Sequence, residues 1–256
     1  MISKNQLKFL RSLHQKKGRL EQQAFLVEGE KSVVELLHAN WKILSLYASE
    51  EFINRHTQRL EHLDCPLYPA SAASLTQAST LSNNHTALAV VAFPAPPPVK
   101  TTGWTLALDQ INDPGNLGTL LRIADWYGFQ QLICSPGTAE LTNPKVISAS
   151  KGSFLRMPLH VCPLEDFLSQ LTPQVPVLGA FLEGESIHQL TPDQLGESGV
   201  LLLGNEAQGI RPSLQAWVNC RVTIPAFGRA ESLNVGVAGA ILCDNIQRLR
   251  ALKSSG

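Results

Sequence analysis

Residues 104–127 read WTLALDQINDPGNLGTLLRIADWY. The run 104–108 is apolar throughout and has the length of a short buried strand. Beyond it come polar residues, a Pro114-Gly115 turn, and then Leu117, Leu120, Leu121 and Ala124 at i, i+3, i+4 and i+7. That spacing is one apolar stripe on a helix, predicted over 117–127. A strand that ends in a loop at a helix N-terminus is the repeating unit of parallel α/β sheets, and such loops are where these sheets bind ligands. Thr119, Arg122 and Asp125 share a second face of the same helix. Arg122 therefore has two readings: an ion pair with Asp125, worth about half a kcal/mol or less, or a cation offered to a ligand.

The same alternation runs toward the C-terminus. Strands are predicted at 104–108, 131–134, 159–162, 177–182, 200–203 and 222–224, and helices at 117–127, 144–150, 164–171 and 233–252. Near-continuous apolar strands such as Val200-Leu201-Leu202-Leu203 belong to a parallel sheet covered on both faces. Asn143-Pro144 is a helix start, an N-cap amide followed by proline at the first helical position. Upstream, residues 94–103 (PAPPPVKTTG) can neither continue a helix nor fill a central strand, and they read as a semi-rigid linker. The linker separates residues 1–93 from 104–256, both ordinary domain sizes. The first part is a smaller α/β layer, with helices predicted at 3–17, 30–39 and 49–63 and strands at 24–28, 41–48 and 87–93.

Two further stretches carry candidate chemistry. In Val200–Ile210, VLLLGNEAQGI, Gly204 and Gly209 lie five apart after a strand, like half of a phosphate loop. No Lys-Ser/Thr follows, and Glu206 would repel a triphosphate, which disfavours nucleotide hydrolysis. Gly204 either makes a tight turn or lets a flat ligand approach the backbone. In 224–241, IPAFGRAESLNVGVAGAI, Ser232 reads as a helix N-cap. From Leu233 to Cys243 the helix is apolar all round, which predicts burial on every side. Gly236 and Gly239 each cost about 1 kcal/mol relative to alanine, a cost tolerable where something packs very close. Asn234 is the odd amide near the start of this helix, and it either satisfies loop carbonyls or serves a site.

Composition narrows the classes. Of 256 residues, 44% are hydrophobic and 16% charged, so a sizeable core is available and wholesale disorder is excluded. No run of eighteen apolar residues marks a membrane span, and the basic N-terminus lacks the apolar core of a signal peptide. The five cysteines form no C-x-x-C pair and read as small hydrophobes in a reducing cytoplasm. The histidines show no metal-ligand spacing, so no metal is expected. Formal net charge is zero, yet residues 1–20 hold Lys4, Lys8, Arg11, Lys16, Lys17 and Arg19 and no acid. That stretch is either a local RNA-facing patch or a solvated helix face.

In this order the three motifs, DPGNLGTLLRIADWYGF, LLLGNEAQGI and IPAFGRAESLNVGVAGAIL, resemble the SpoU, or TrmH, family of SPOUT-superfamily RNA methyltransferases. The stretch KKGRLEQQAFLVEGEKSVVELL is similar to the substrate-binding domain of the rRNA-directed members, which resembles RNA-binding ribosomal proteins. The resemblance implies a parallel α/β sheet whose C-terminal segment is tied in a trefoil knot, an exception to the usual absence of knots. It implies S-adenosylmethionine bound bent in that knot at Leu203, Gly204, Ile224, Ser232 and Leu233. Carried over by motif, the catalytic positions are Asn116, Arg122, Glu206, Ser232 and Asn234. Gly236 departs from the serine common there. A homodimer is implied, with the active site completed across the interface, and the substrate implied is a ribose 2′-hydroxyl, in ribosomal RNA rather than tRNA. Lys16, Lys17 and Arg19 would grip RNA. The methyl donor is a sulfonium that needs no metal. A base methyltransferase and a non-catalytic RNA-binding protein on the same fold are the competing readings.

Overall fold

A computed structural model describes residues 2–95 and 97–254; Pro96, within the predicted linker, lies outside the described residues. In the first stretch, helices α1 (Lys4–Ser12), α2 (Lys16–Gln22), α3 (Glu30–His38), α4 (Glu50–Arg55), α5 (Thr57–Leu60) and α6 (Ala72–Ala78) accompany strands β1 (Ala24–Glu28), β2 (Ile43–Ala48), β3 (Leu67–Pro69) and β4 (Ala87–Ala92). The second stretch carries strands β5 (Trp104–Leu108), β6 (Gln131–Cys134), β7 (Leu159–Val161), β8 (Val177–Ser186), β9 (Gly199–Leu203) and β10 (Cys220–Thr223). Its α-helices are α7 (Pro114–Trp126), α8 (Pro144–Ser150), α9 (Leu164–Leu168), α10 (Pro212–Gln215) and α11 (Val235–Ser254). Two compact units result: Met1–Ala95 with Glu140–Leu155, and Pro96–Ala139 with Arg156–Gly256.

The first unit is a sheet in the order β1-β4-β2-β3, antiparallel except for the β2–β3 pair. Four of the five residues of β1 are buried because alternate side chains enter two cores. Phe25 and Val27 join Val33, Leu36 and Phe52, while Leu26 joins Leu10, Leu13 and Leu75. Although 104–256 reads as one segment in sequence, residues 140–155 cluster with this unit. Ile147 and Phe154 explain it: both are buried in the Phe25 core, and Trp41 meets Phe154 edge-on at 5.7 Å.

Three predicted helices change here. The helix expected over 3–17 breaks into α1 and α2, because the Arg19 guanidinium bonds the carbonyls of Leu13 and His14 at the corner. The helix expected over 49–63 is interrupted at His56. Helix α6, absent from the sequence reading, starts on Ser71, whose hydroxyl accepts from the Ser74 amide.

The second unit is a six-stranded sheet in the order β10-β8-β9-β5-β6-β7, parallel at every pairing. All five residues of β5 and all five of β9 are buried, the two-sided covering that their apolar runs predict. Leu117, Leu120, Leu121 and Ala124 are fully buried, as the stripe requires. Helix α7 starts earlier than predicted. Pro114 and Gly115 are not a free turn but its first residues, with Asp113 as N-cap accepting from the Asn116 amide at 2.9 Å. Helix α11 packs on α7. A β-carbon on Gly239 would lie 2.7 Å from Leu120 Cδ2, and one on Gly236 would lie 3.0 Å from Thr119 Cγ2. The neighbour that makes those glycines tolerable is α7. Burial on every side of α11 does not hold: Val237 is 49% exposed.

Candidate functional site

Strands β5 and β9 are neighbours at the middle of the sheet, so the loops that follow them leave its carboxyl edge side by side. From β5 the order runs one way to β6 and the other way to β9, the topological switch point at which open α/β sheets bind ligands. The loop after β9 is a hairpin. Asn205 and Gly209 exchange both backbone hydrogen bonds, at 3.1 and 2.8 Å, and the Asn205 side-chain oxygen accepts from the amides of Ala207 and Gln208. Gly209 turns with φ +67°, and a β-carbon on Gly204 would sit 2.2 Å from the Gly209 carbonyl carbon. The space at Gly204 is therefore taken by the hairpin's own return. The expectation of a ligand against that α-carbon is corrected accordingly.

Three motifs meet in one chain of amides. Asn116 donates its Nδ2 hydrogen to Glu206, and its Oδ1 accepts from Asn234 Nδ2 at 3.0 Å. The Asn234 oxygen is already committed, accepting from the amides of Gly236 at 2.9 Å and Val237 at 3.4 Å. Asn234 thus caps α11, which corrects the reading of Ser232 as N-cap. The commitment also sets direction along the chain: Asn234 can only donate to Asn116, which in turn donates to Glu206 as final acceptor. Asn116, Glu206 and Asn234 are all exposed at this edge or half-buried.

Arg122 lies on the exposed side of α7 and, among the described residues, makes no hydrogen bond or ion pair with the triad or anything else. The pairing with Asp125 fails for a definite reason: Asp125 is held by Arg156, whose Nε and Nη2 reach it at 3.1 and 2.8 Å.

A cleft of about 960 Å³ opens beside the triad, lined by Leu203, Gly204, Ile210, Ile224, Ser232 and Leu233 among others. All five positions expected to touch a cofactor are in that lining. Residues 226–234 are exposed, and within 225–233 no backbone group has a hydrogen-bond partner among the described residues. A wall of free amides and carbonyls beside apolar side chains suits a ligand that is part flat ring and part hydrogen-bonding group. On the far wall, the Arg221 guanidinium stacks 3.7 Å over Phe181. Sequence reasoning passed over Asp109, Asn205, Arg211, Phe181 and Arg221. Only Asp109 and Asn205 stood inside a quoted motif.

The remaining candidates belong to the first unit. Arg19 is 3% exposed and bonds Leu13, His14 and Glu140, the last at 2.9 Å. It does not face RNA, and its assignment as an RNA contact is corrected. Lys16 also reaches Glu140, at 2.6 Å, whereas Lys17 is 86% exposed and stands 3.8 Å from Glu21.

Residues 103–244 match the SpoU rRNA Methylase family, and residues 4–89 match the MRM3-like substrate binding domain. The 23S rRNA (guanosine(2553)-2′-O)-methyltransferase RlmP of Bacillus subtilis is 32% identical, over 94% of this chain and 95% of its own length. A TrmH-family protein from Porphyromonas gingivalis is 37% identical and superposes with a TM-score of 0.83, over 97% of this chain and 99% of that one. The AdoMet-bound rRNA methyltransferase of Sinorhizobium meliloti is 26% identical, with a TM-score of 0.85 over 97% of each chain.

Proposed function

The chain belongs to the SpoU rRNA Methylase family, and from that premise we propose that it transfers a methyl group from S-adenosylmethionine to a ribose 2′-hydroxyl of ribosomal RNA. The observation that carries the reading is the joining of Asn116, Glu206 and Asn234, from three separate motifs, at the mouth of one cleft. The cleft fits the cofactor: adenine and ribose want the free backbone groups of 225–233, and Leu203, Ile210 and Leu233 supply apolar cover. When bound, S-adenosylmethionine supplies an electrophilic methyl group on sulfur. Leu203, Gly204, Ile224, Ser232 and Leu233 hold it.

The chain's own task is positioning. An acceptor hydroxyl has to be aligned opposite a leaving sulfur, and fixing that geometry supplies most of the rate. The directed chain Asn234–Asn116–Glu206 gives a rigid polar edge for the ribose. Arg122, with no protein partner to surrender, clamps the phosphate beside the target ribose and stabilises charge developing on its oxygen. It is not the base: lowering an arginine pKa from about 13 to about 7 would cost roughly 8 kcal/mol.

The reading extends to features supported less directly. The N-terminal unit delivers RNA, through Lys4, Lys8, Arg11 and Lys17, whose side chains are exposed. A C-terminal trefoil knot is supported by α11 returning from edge strand β10 to pack on α7. A homodimer is supported by exposed Trp126 and Val237, at 80% and 49%. The unpaired cysteines suit a reducing cytoplasm.

The test is transfer of tritiated methyl from S-adenosylmethionine to ribosomal RNA, followed by alkaline hydrolysis. A labelled, alkali-resistant dinucleotide is the expected product. Label on a base, in tRNA alone, or nowhere would overturn the proposal.

A further inference from the structure

The 204–211 hairpin has two working faces. Leu203, Gly204 and Ile210 line the cleft, while Glu206 ends the amide chain from Asn116 and Asn234. Its internal hydrogen bonds make it one stiff piece, so whatever fixes its pose fixes both faces together.

Both limbs are tied to the same two residues at the end of β5. On the outgoing limb, Asn205 Nδ2 donates to the Gln110 carbonyl at 2.8 Å. On the returning limb, the Asp109 carboxylate accepts twice from Arg211, from the backbone amide at 2.9 Å and from Nε at 2.8 Å. Asp109 is fully buried, and its own amide donates to the Leu203 carbonyl at 2.9 Å. A two-point charged contact in a dry setting resists rotation as well as separation. Gln110 meanwhile sits at φ +54°, a conformation that side chains avoid, which turns its carbonyl to Asn205 while its amide donates to Ser135 Oγ at 2.8 Å. Arg211 also acts on Glu165: with the Ser213 hydroxyl and Glu165's own backbone amide, its charge holds that carboxyl below the usual carboxylate range.

We propose that Asp109, acting through Arg211, is a positioning residue that sets the hairpin so that cofactor cradle and Glu206 are in register. The role rests on the cleft being the S-adenosylmethionine site. Asp109 touches neither cofactor nor RNA. Its loss lets the hairpin tilt, which loosens the cofactor and misplaces Glu206 while leaving the RNA-binding unit alone.

The experiment uses full-length protein and S-adenosylhomocysteine as calorimetric probe, with thermal unfolding and steady-state kinetics in parallel. Asp109→Asn and Arg211→Ala should each weaken S-adenosylhomocysteine binding about tenfold or more, the size of one lost charge-assisted hydrogen bond. Arg211→Lys should recover part of that loss. KM for RNA should stay within about twofold while KM for the methyl donor rises and kcat falls. A purely structural ion pair would lower Tm yet leave probe affinity intact well below the transition. Should Asp109→Asn not fold, Arg211→Ala decides, because there Asp109 keeps its backbone partner. Wild-type probe affinity in folded Arg211→Ala overturns the positioning role and spares the functional reading. Failure of the wild-type protein to bind the probe overturns both.

Discussion

In the N-terminal unit Arg19 is 3% exposed, with its guanidinium divided between two backbone carbonyls and Glu140. In the motif-bearing unit Arg122 is exposed on α7 and, among the described residues, bonds to nothing. Both are cations in stretches that the sequence marks for RNA, and the difference lies in what surrounds them. A buried guanidinium must satisfy its donors within the protein, so its charge is spent on architecture. An exposed one whose nearest acid is already held by Arg156 keeps its charge for a ligand. Motif membership points to a residue, and the competition for its donors decides its work.

The sharpest way to break this comparison is at Arg122. Arg122→Ala should reduce methyl transfer about a hundredfold or more, as expected for one lost preorganised donor, with Tm and S-adenosylhomocysteine affinity unchanged. Arg122→Lys should lose most of the activity too, because a point charge does not replace a planar fork. Near wild-type transfer by Arg122→Ala would place this arginine among the solvated side chains. The filter-bound tritium assay reads the outcome directly.

Arg19 should behave in the opposite way. Arg19→Ala should destabilise the protein by about 2 kcal/mol in denaturant unfolding, through lost bonds at the α1–α2 corner, with transfer per folded molecule nearly intact. By contrast, changing Lys4 and Lys8 together to Ala should leave unfolding within about 0.5 kcal/mol. It should also reduce the slope of RNA affinity against salt by about one unit. A steeper loss of RNA affinity in Arg19→Ala than in the double lysine variant would erase the distinction.

The smallest effect belongs to Glu140. Burial pushes its carboxyl up, but hydrogen bonds and charge from Lys16 and Arg19 outweigh burial and leave it below the ordinary 4.5. A depressed carboxyl stabilises the fold above its unfolded pKa, and that contribution is lost as pH falls through the folded value. Glu140→Gln should therefore lower Tm at pH 7, and the gap to wild type should close as pH falls below about 4.5. A gap independent of pH would mean the ion pair contributes only through packing.

The motif segments were legible in sequence where period and composition coincide. The stripe Leu117, Leu120, Leu121 and Ala124 and the run Val200–Leu203 each need only a local pattern, and both are buried as read. Asn116, Glu206 and Asn234 were legible as types at motif positions. Their hydrogen bonds were not, since the partners stand 90 and 118 residues apart. Helix α6 and strand β3 were missed because three- to seven-residue elements carry too few periods to rise above their surroundings.

Taken alone, the sequence determined the alternation of apolar strands and amphipathic helices, the three loops that carry polar side chains, and the family they belong to. These follow from local burial and from residue identity at short spacing. Tertiary structure alone decided where donors and acceptors were spent. It placed residues 140–155 in the first unit, turned Asn234 into a cap, and buried Arg19 against Glu140. It also set Asp109 under Arg211 and left Arg122 without a partner among the described residues. Hydrogen-bond satisfaction depends on which groups meet once the chain has closed, and no local window contains both partners.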